Sequence, residues 1–279
     1  MHKVVDEGRA GMEATIRSRE NLTYYQERAE FIEEYVLKAG SRTLAAPQFV
    51  IASGARSSVP PIPGLEDSGY LDNISLLDLK KPPQSLIIIG GGYLGCEYGH
   101  FFSAMGTEVT ILGRGPRLLG GEDPEISERL YESLSRYCRI FTGHEVLSVE
   151  SDGEKKIVSA REAKDGLIRQ FEAEEILLAA GRRSNSDLLH PERTGVQIDR
   201  HGWIEVDEYL ETRKKGIWAL GDATGKHMFR HTANYEARIV GHNILRAQGK
   251  GGRRAADYHA VPYAVFSHPT IAGVGMKES

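Results

Sequence analysis

Between residues 85 and 137 the hydrophobic positions change period repeatedly, and the changes predict a strand–helix–strand–helix run. LIIIG (86–90) is an unbroken apolar strand, and YLGCEYGHFFSAMG (93–106) spaces its apolar residues as a helix does. EVTILG (108–113) returns to strand and 124–137 (PEISERLYESLSRY) to helix. This alternation is the signature of a parallel sheet in an α/β unit. Residues 139–179 alternate apolar and polar in short runs around Gly153 and Gly166, which predicts an antiparallel hairpin or meander. The strand EILLAA (175–180) then ends in Gly181.

The flanks are patterned less strongly. Residues 3–20 read as a helix without a clear cap. Propensity allows a helix over 22–36, but Tyr24, Tyr25, Phe31, Ile32, Tyr35 and Val36 favour short strands before the turn at Gly40-Ser41. QFVIAS (48–53) reads as a buried strand running into Gly54, and Pro-rich stretches at 58–64 and 80–84 read as connections between domains. Further strand is predicted at 203–211 and at GIWAL (216–220), closed by Gly221-Asp222, with a helix at 231–248 and strand-like residues over 261–275. The periods recur in no solenoid-type repeat.

Composition adds limits. A length of 279 residues suggests about two domains. A net charge of −4 argues against a general electrostatic grip on nucleic acid or anionic lipid. The basic group Arg246, Lys250, Arg253 and Arg254 lacks interleaved aromatics and reads as a solvated connection. No apolar run is long enough to span a bilayer. Two distant cysteines, Cys96 and Cys138, exclude a disulfide framework and favour a reducing, cytoplasmic setting, where both are expected to be buried core thiols. His227 and His231 lack a third ligand of clear spacing, so no metal site is expected there. Glycine is in excess, with 31 residues, and it is clustered.

The sharpest cluster is Gly90, Gly92 and Gly95, in G-x-G-x-x-G spacing between an apolar strand and a helix, within one βαβ unit. In that context the three glycines have separate roles in binding a dinucleotide. They make the tight turn, admit the pyrophosphate to the backbone, and let the helix pack on the strand. Backbone N–H groups at the helix start then face the phosphates. An acidic residue after the second strand would hold the ribose 2′-hydroxyl of NAD, but Arg114 stands there, with Arg117 three residues on. A guanidinium suits a 2′-phosphate, so the sequence favours NADP over NAD; a merely solvated arginine is the competing reading.

Five ordered segments resemble the two-dinucleotide flavoprotein disulfide reductases, the family of dihydrolipoamide dehydrogenase, mercuric reductase and glutathione reductase. They are VIASGARSSVPPIPG (50–64), LIIIGGGYLGCEYG (86–99), ILLAAGRRSNSDLL (176–189), GIWALGDATG (216–225) and VPYAVFSHPTIAGVG (261–275). The resemblance implies an α/β fold with a Rossmann-like NAD(P) domain, parallel sheet plus antiparallel meander, beside parts of an FAD-binding Rossmann-like domain. The implied boundaries are residues 1–80 and 205–255 for the FAD parts, 81–204 for the NAD(P) domain, and 256–279 for the start of an interface domain. It also implies roles for single residues. Tyr93 gates the nicotinamide and Glu97 orients it; Val146 and Gly181 touch the NAD(P) moiety. Ser53, Gly54 and Ala55 form a turn against FAD, Asp222 hydrogen-bonds FAD, and Met228, Phe229, Arg230 and His231 form the loop after it. His268 matches a position in the interface domain's first strand.

In the family, a first FAD-binding glycine loop and a pair of redox cysteines four residues apart come before the segment matching Ser53, and neither is found in this sequence. Two readings follow. One is a part of an FAD-dependent NAD(P)H:disulfide or related oxidoreductase, a homodimer when whole, with this chain alone inactive. The other is a nucleotide-binding module without catalysis.

Overall fold

The computed structural model describes residues 2–247 and 252–278; Lys250 lies outside them. The chain forms two compact units, one built from residues up to Arg56 with Arg182–Tyr258, the other from Ser57–Gly181 with His259–Ser279.

In chain order the first unit opens with helix α1 (His2–Arg17) and strands β1 (Ala29–Glu33), β2 (Val36–Ala39), β3 (Arg42–Ala45), β4 (Phe49–Ile51) and β5 (Ala55–Ser57). The second holds α2 (Leu65–Ser68), β6 (Ser85–Ile89), α3 (Tyr93–Ala104), β7 (Glu108–Gly113), α4 (Pro124–Leu134) and β8 (Cys138–Thr142). It continues with β9 (His144–Ser151), β10 (Lys156–Glu162), β11 (Ile168–Ala173) and β12 (Glu175–Leu178). Then come β13 (Arg182–Ser184), α5 (Ser186–Leu189), β14 (Ile217–Ala219), α6 (Arg230–Ala247), and a hairpin of β15 (Pro262–Val265) and β16 (Ile271–Val274).

The heart of the Ser57–Gly181 unit is a four-stranded parallel sheet in the order β12-β6-β7-β8. The run Leu86–Ile89 is buried on both faces, as a central parallel strand must be. Leu86 and Ile88 join Val109 and Ile111 in a core with Phe102 of α3 and Leu130 and Leu134 of α4. Ile87 and Ile89 point the other way and join Leu112, Ile176 and Leu178 against Val149, Val158, Ala160 and Phe171 of the antiparallel meander β9-β10-β11. The period of two therefore splits one strand between two cores.

The meander is shorter than the alternation suggests. Cys138–Thr142 pairs parallel with β7 and completes the main sheet, and only His144–Ala173 forms the antiparallel layer. Helices and strands elsewhere follow the expected order, with two corrections. Residues 203–211 form no strand; Ile204 and Leu210 are buried from irregular backbone. There the Asp207 carboxylate accepts the N–H groups of Tyr209 and Glu211, both at 2.9 Å, and such local side-chain bonds compete with a ladder. His268 lies between β15 and β16, in the hairpin's turn, because strand pairing ends at Val265↔Ile271.

The other unit pairs β4 and β14 in parallel, Phe49 opposite Ile217 through Ile51 opposite Ala219, and carries the antiparallel sheet β1-β2-β3. Of the stretch 22–36, the strand begins only at Ala29. One core there gathers Phe31, Ile51, Val196, Ile204, Ile217 and Ala219, and a second sets Trp218 and Leu210 against Ile239 and Val240 of α6.

Ile88 is fully buried in the core under α3. Ile88→Ala is expected to lower unfolding stability by about 2–5 kcal/mol in a urea titration of the chain.

Candidate functional site

Strand β6 ends at Ile89, and the chain turns sharply at Gly90, whose φ is +129°. The Gly90 N–H donates to the Leu112 carbonyl at 2.9 Å, so the turn begins as an extension of the sheet. A Cβ at Gly90 would stand 2.2 Å from the Ala179 carbonyl oxygen, and one at Gly95 would stand 2.0 Å from the Gly90 oxygen. No real Cβ tolerates such distances, so helix α3 reaches the strand end only because Gly95 has no side chain. Gly92 differs: its Cβ would meet nothing within 4 Å, leaving open space above the backbone. Gly92 is also the N-cap of α3 and supplies no side-chain capping bond. The helix N-terminus, the positive end of its dipole, is thus presented without a side chain in front of it.

That opening belongs to a cleft of about 600 Å³. Gly90, Gly91 and Gly92 form one wall, Gly113, Arg114, Gly115 and Arg117 another, and Val146, Ala180 and Gly181 complete it. Five of the predicted NAD(P) contacts, Gly90, Gly92, Arg114, Val146 and Gly181, therefore converge; Gly95 packs behind Gly90. The arginine wall is fixed to the glycine loop, because the Leu119 N–H donates to the Gly91 carbonyl at 2.8 Å. Arg117 braces that wall from within, donating to the carbonyls of Gly120 at 3.3 Å and Glu122 at 3.2 Å. Arg114 is exposed and makes no hydrogen bond or ion pair to a described residue, which leaves its guanidinium for a ligand. Among the described residues the one carboxylate on the cleft, Glu145, is paired with Arg161 at 3.1 Å.

A second cleft, of about 710 Å³, lies in the other unit. Asp199, Glu205, Asp207 and Glu211 line it against only Arg213 and Lys226. It is larger, but even with Arg253 paired to Asp207 at 3.3 Å and Glu211 at 2.9 Å it has no excess of positive charge for a polyphosphate, so the glycine cleft is the nucleotide candidate.

Tyr93 and Glu97 sit four residues apart on α3, and neither lines the cleft. Both engage the C-terminal hairpin. Glu97 Oε1 accepts the Phe266 N–H at 2.9 Å. The Tyr93 ring stacks on Tyr263, centroids 6.0 Å apart and 6° between planes, and its hydroxyl donates to Glu122 Oε1 at 2.5 Å. Tyr263 donates to the other oxygen of Glu122, and Lys277 Nζ lies 3.2 Å from Oε1. Glu122 is 3% exposed. Burial by itself would raise its pKa, but hydrogen bonds from Tyr263, Tyr93 and Lys277 outweigh it and hold the carboxyl below its ordinary value. The tyrosines shift the other way. Burial, then the bond to Glu122, raises both phenols, that of Tyr263 up to about 12.

In the other unit two of the residues predicted to meet FAD, Ala55 and Asp222, are joined through Arg182, which the sequence reading did not single out. Arg182 donates to the Ala55 carbonyl at 2.7 Å and to Asp222 Oδ2 at 3.2 Å. Its Nε and the Ser53 Oγ are buried without a hydrogen-bond partner. Asn185 Nδ2 donates to the Ser53 carbonyl at 2.8 Å, fixing the Ser53–Ala55 turn. Asp222 is placed by a second residue missed in the sequence, Glu236. This fully buried carboxylate accepts the Gly221 N–H at 2.6 Å and the Tyr258 hydroxyl at 2.7 Å. Both residues had a faint signal: the first Arg after Gly181, and a lone acid among the apolar positions of α6. Met228 is exposed, Phe229 stacks on His231 at 5.3 Å, and Arg230 opens α6. Orphaned donors beside a short carboxylate fit a polar, phosphate- or hydroxyl-bearing ligand, as FAD is.

The sequence profile of the pyridine nucleotide-disulphide oxidoreductase family matches residues 3–237. A mercuric reductase of Staphylococcus aureus is 38% identical over 251 residues, 90% of this chain and 45% of the relative. A mycothione reductase of Mycobacterium tuberculosis is 34% identical over 247 residues, 88% of this chain and 52% of that one. Among solved structures, the HOCl-induced flavoprotein disulfide reductase RclA of Escherichia coli, as its Cu(II) complex, superimposes with a TM-score of 0.90 at 31% identity. The match covers 99% of this chain and 62% of that one. The chain thus spans about half the length of the curated relatives it matches. Among the described residues no helix is long and apolar enough to cross a membrane.

Cys96 and Cys138 are buried and unbridged, as expected. Burial raises the Cys96 thiol to about 12, with smaller contributions from Cys138 and Glu97, and burial raises Cys138 to about 11. The thiolate is the reactive form, so neither thiol of the native chain should react with an aromatic disulfide reagent at about pH 8, and both should react after denaturation. Rapid colour from the native chain would contradict this.

Proposed function

Because the chain belongs to the pyridine nucleotide-disulphide oxidoreductase family, whose members are FAD-dependent and use NAD(P)H, we propose that its Ser57–Gly181 unit binds NADPH and its other unit contacts FAD. The observation that carries this reading is the cleft, where an uncapped helix start at Gly92 and an unpaired Arg114 face the same space. Gly90, Gly92 and Gly95 seat the pyrophosphate, Val146 and Gly181 line the remainder of the dinucleotide, and Arg114 takes the 2′-phosphate with Arg117 beside it. Glu97 orients the nicotinamide and Tyr93 gates it. In the other unit Ser53, Gly54, Ala55, Asp222 and the residues from Met228 to His231 hold FAD, assisted by Arg182.

When bound, the nicotinamide supplies a hydride and FAD takes it up. The side chains of this chain bind, orient and exclude water. The whole protein, in this reading a cytoplasmic homodimer, passes electrons to a disulfide, a thiol-bound metal ion or a related acceptor. This chain by itself turns over no disulfide, since neither buried cysteine is available as the thiolate that an exchange needs.

The choice of NADPH rests on one exposed guanidinium, and a charge-assisted hydrogen bond at such a site is worth about 1.5 kcal/mol. Arg114→Ala is expected to weaken NADPH about tenfold and to leave NADH unchanged, read by calorimetric titration at low salt. Equal affinities of the variant and the unmodified chain for NADPH, or tighter binding of NADH by the unmodified chain, would contradict the assignment.

A further inference from the structure

We propose that Leu119 is a positioning residue for the dinucleotide site: its backbone N–H fixes the Gly91–Gly92 peptide so that the Gly92 N–H is presented to the ligand's pyrophosphate. The proposal rests on the reading of the glycine cleft given above.

Leu119 is held in an uncommon state. Its φ is +45°, in the left-handed region that a bulky side chain rarely adopts, and it is 2% exposed. Such a backbone persists only where the surroundings impose it. The Leu119 side chain is packed in the core that also holds Cys96 and Phe102 of α3 and Leu130 of α4. Its carbonyl accepts the Glu122 N–H at 2.7 Å and the Ser127 hydroxyl at 3.3 Å. Its N–H donates to the Gly91 carbonyl at 2.8 Å.

That last bond fixes the orientation of one peptide. The Gly91 oxygen has a second neighbour, the Cys96 thiol, whose sulfur lies 3.7 Å away. Both donors belong to buried residues, so the carbonyl points into the core. In a planar trans peptide the C=O and the N–H point in opposite directions, and the N–H opposed to this carbonyl is that of Gly92. It is therefore turned away from the core. Gly92 lines the cleft, and its N–H makes no hydrogen bond to a described residue. As the N-cap of α3, Gly92 also sits at the positive end of the helix. Its N–H is thus a preset donor for a phosphate oxygen, and Leu119, outside the cleft lining, sets it without touching the ligand.

This role differs from that of Arg114. An arginine at the ribose end separates NADPH from NADH, whereas a donor to the pyrophosphate serves both. The full chain is therefore titrated with NADPH and NADH in its unmodified form, with Leu119 replaced by its α-hydroxy acid, and as Leu134→Ala. The hydroxy acid keeps the side chain and swaps the N–H for an ester oxygen. Leu134 is fully buried in the same core and does not line the cleft, so Leu134→Ala reports what lost stability alone does to binding. Amide exchange and the Gly92 proton shift, read by NMR on the unmodified chain, serve as the test should the ester fail to fold.

The ester is expected to weaken both nucleotides by the same factor, about tenfold, the scale of one hydrogen bond to a charged group. Leu134→Ala should lower the urea midpoint at least as far and leave both affinities unchanged. In the unmodified chain the Leu119 N–H should be protected before nucleotide is added. The Gly92 N–H should become protected only afterwards, with its proton shifted downfield. A loss confined to NADPH would show that the bond merely places the arginine wall, and would overturn the proposal. Unchanged affinities in the ester, or equal losses in the ester and Leu134→Ala, would overturn it too. So would a Leu119 N–H that exchanges freely without nucleotide. If the unmodified chain binds neither nucleotide, the cleft reading fails and the proposal fails with it. If it binds one and the Gly92 amide does not respond, the proposal alone fails.

Discussion

The contact on which the nucleotide cleft depends is between two backbones. Helix α3 comes so close to the end of β6 that a Cβ at Gly95 would lie 2.0 Å from the Gly90 carbonyl oxygen. That approach fixes where the helix starts and points its N-terminus at the open space over Gly92. A softer contact lies one turn further along, where a Cβ at Gly99 would stand 2.8 Å from Ile111 Cδ1, the end of a side chain that can move aside. Gly95, with Gly99 one turn on, lets the helix approach the sheet this closely. The hydrophobic cores on either side supply the stability, and the glycines supply the geometry.

Charge then separates this cleft from the larger one in the other unit. Volume alone would favour the space beside Trp203, but four carboxylates line it and only two of them, Asp207 and Glu211, are paired with Arg253. Around the glycine loop, two arginines line the cleft and the only acid among the described lining residues is already paired. Placing the arginines takes more than their position in sequence. Leu119 donates to Gly91, Arg117 braces the loop, and the same turn ends in the buried Glu122, which collects two tyrosines and a lysine. The phosphate side of the cleft and the Tyr93 side of α3 are in this way built from one short segment.

The sequence displayed local features well and distant pairings poorly. The apolar run at 86–89, the spacing of Gly90, Gly92 and Gly95, and the arginine after β7 are all legible, because each is set by neighbours within a few residues. The convergence of Val146 and Gly181 on the cleft followed from resemblance and not from periodicity. Residues 203–211 misled because Ile204 and Leu210 carry strand-like apolar spacing, while Asp207 folds the backbone into turns that bury them without a ladder. Residues 139–142 fall inside the predicted meander because an alternating strand and a parallel edge strand look alike over a few residues. Glu122 could not be found at all. Its partner Tyr263 is 141 residues away, and nothing in the local pattern of GGEDPE marks a buried acid.

The central claim is that a dinucleotide lies across the glycine loop, and amide hydrogen exchange of the full chain with and without NADPH tests it most directly. The account predicts that the nucleotide slows exchange at residues 90–96, 113–117 and 144–146, with little change over 199–226. Protection confined to 199–226, or none at the glycine loop at a saturating concentration of NADPH, would contradict it.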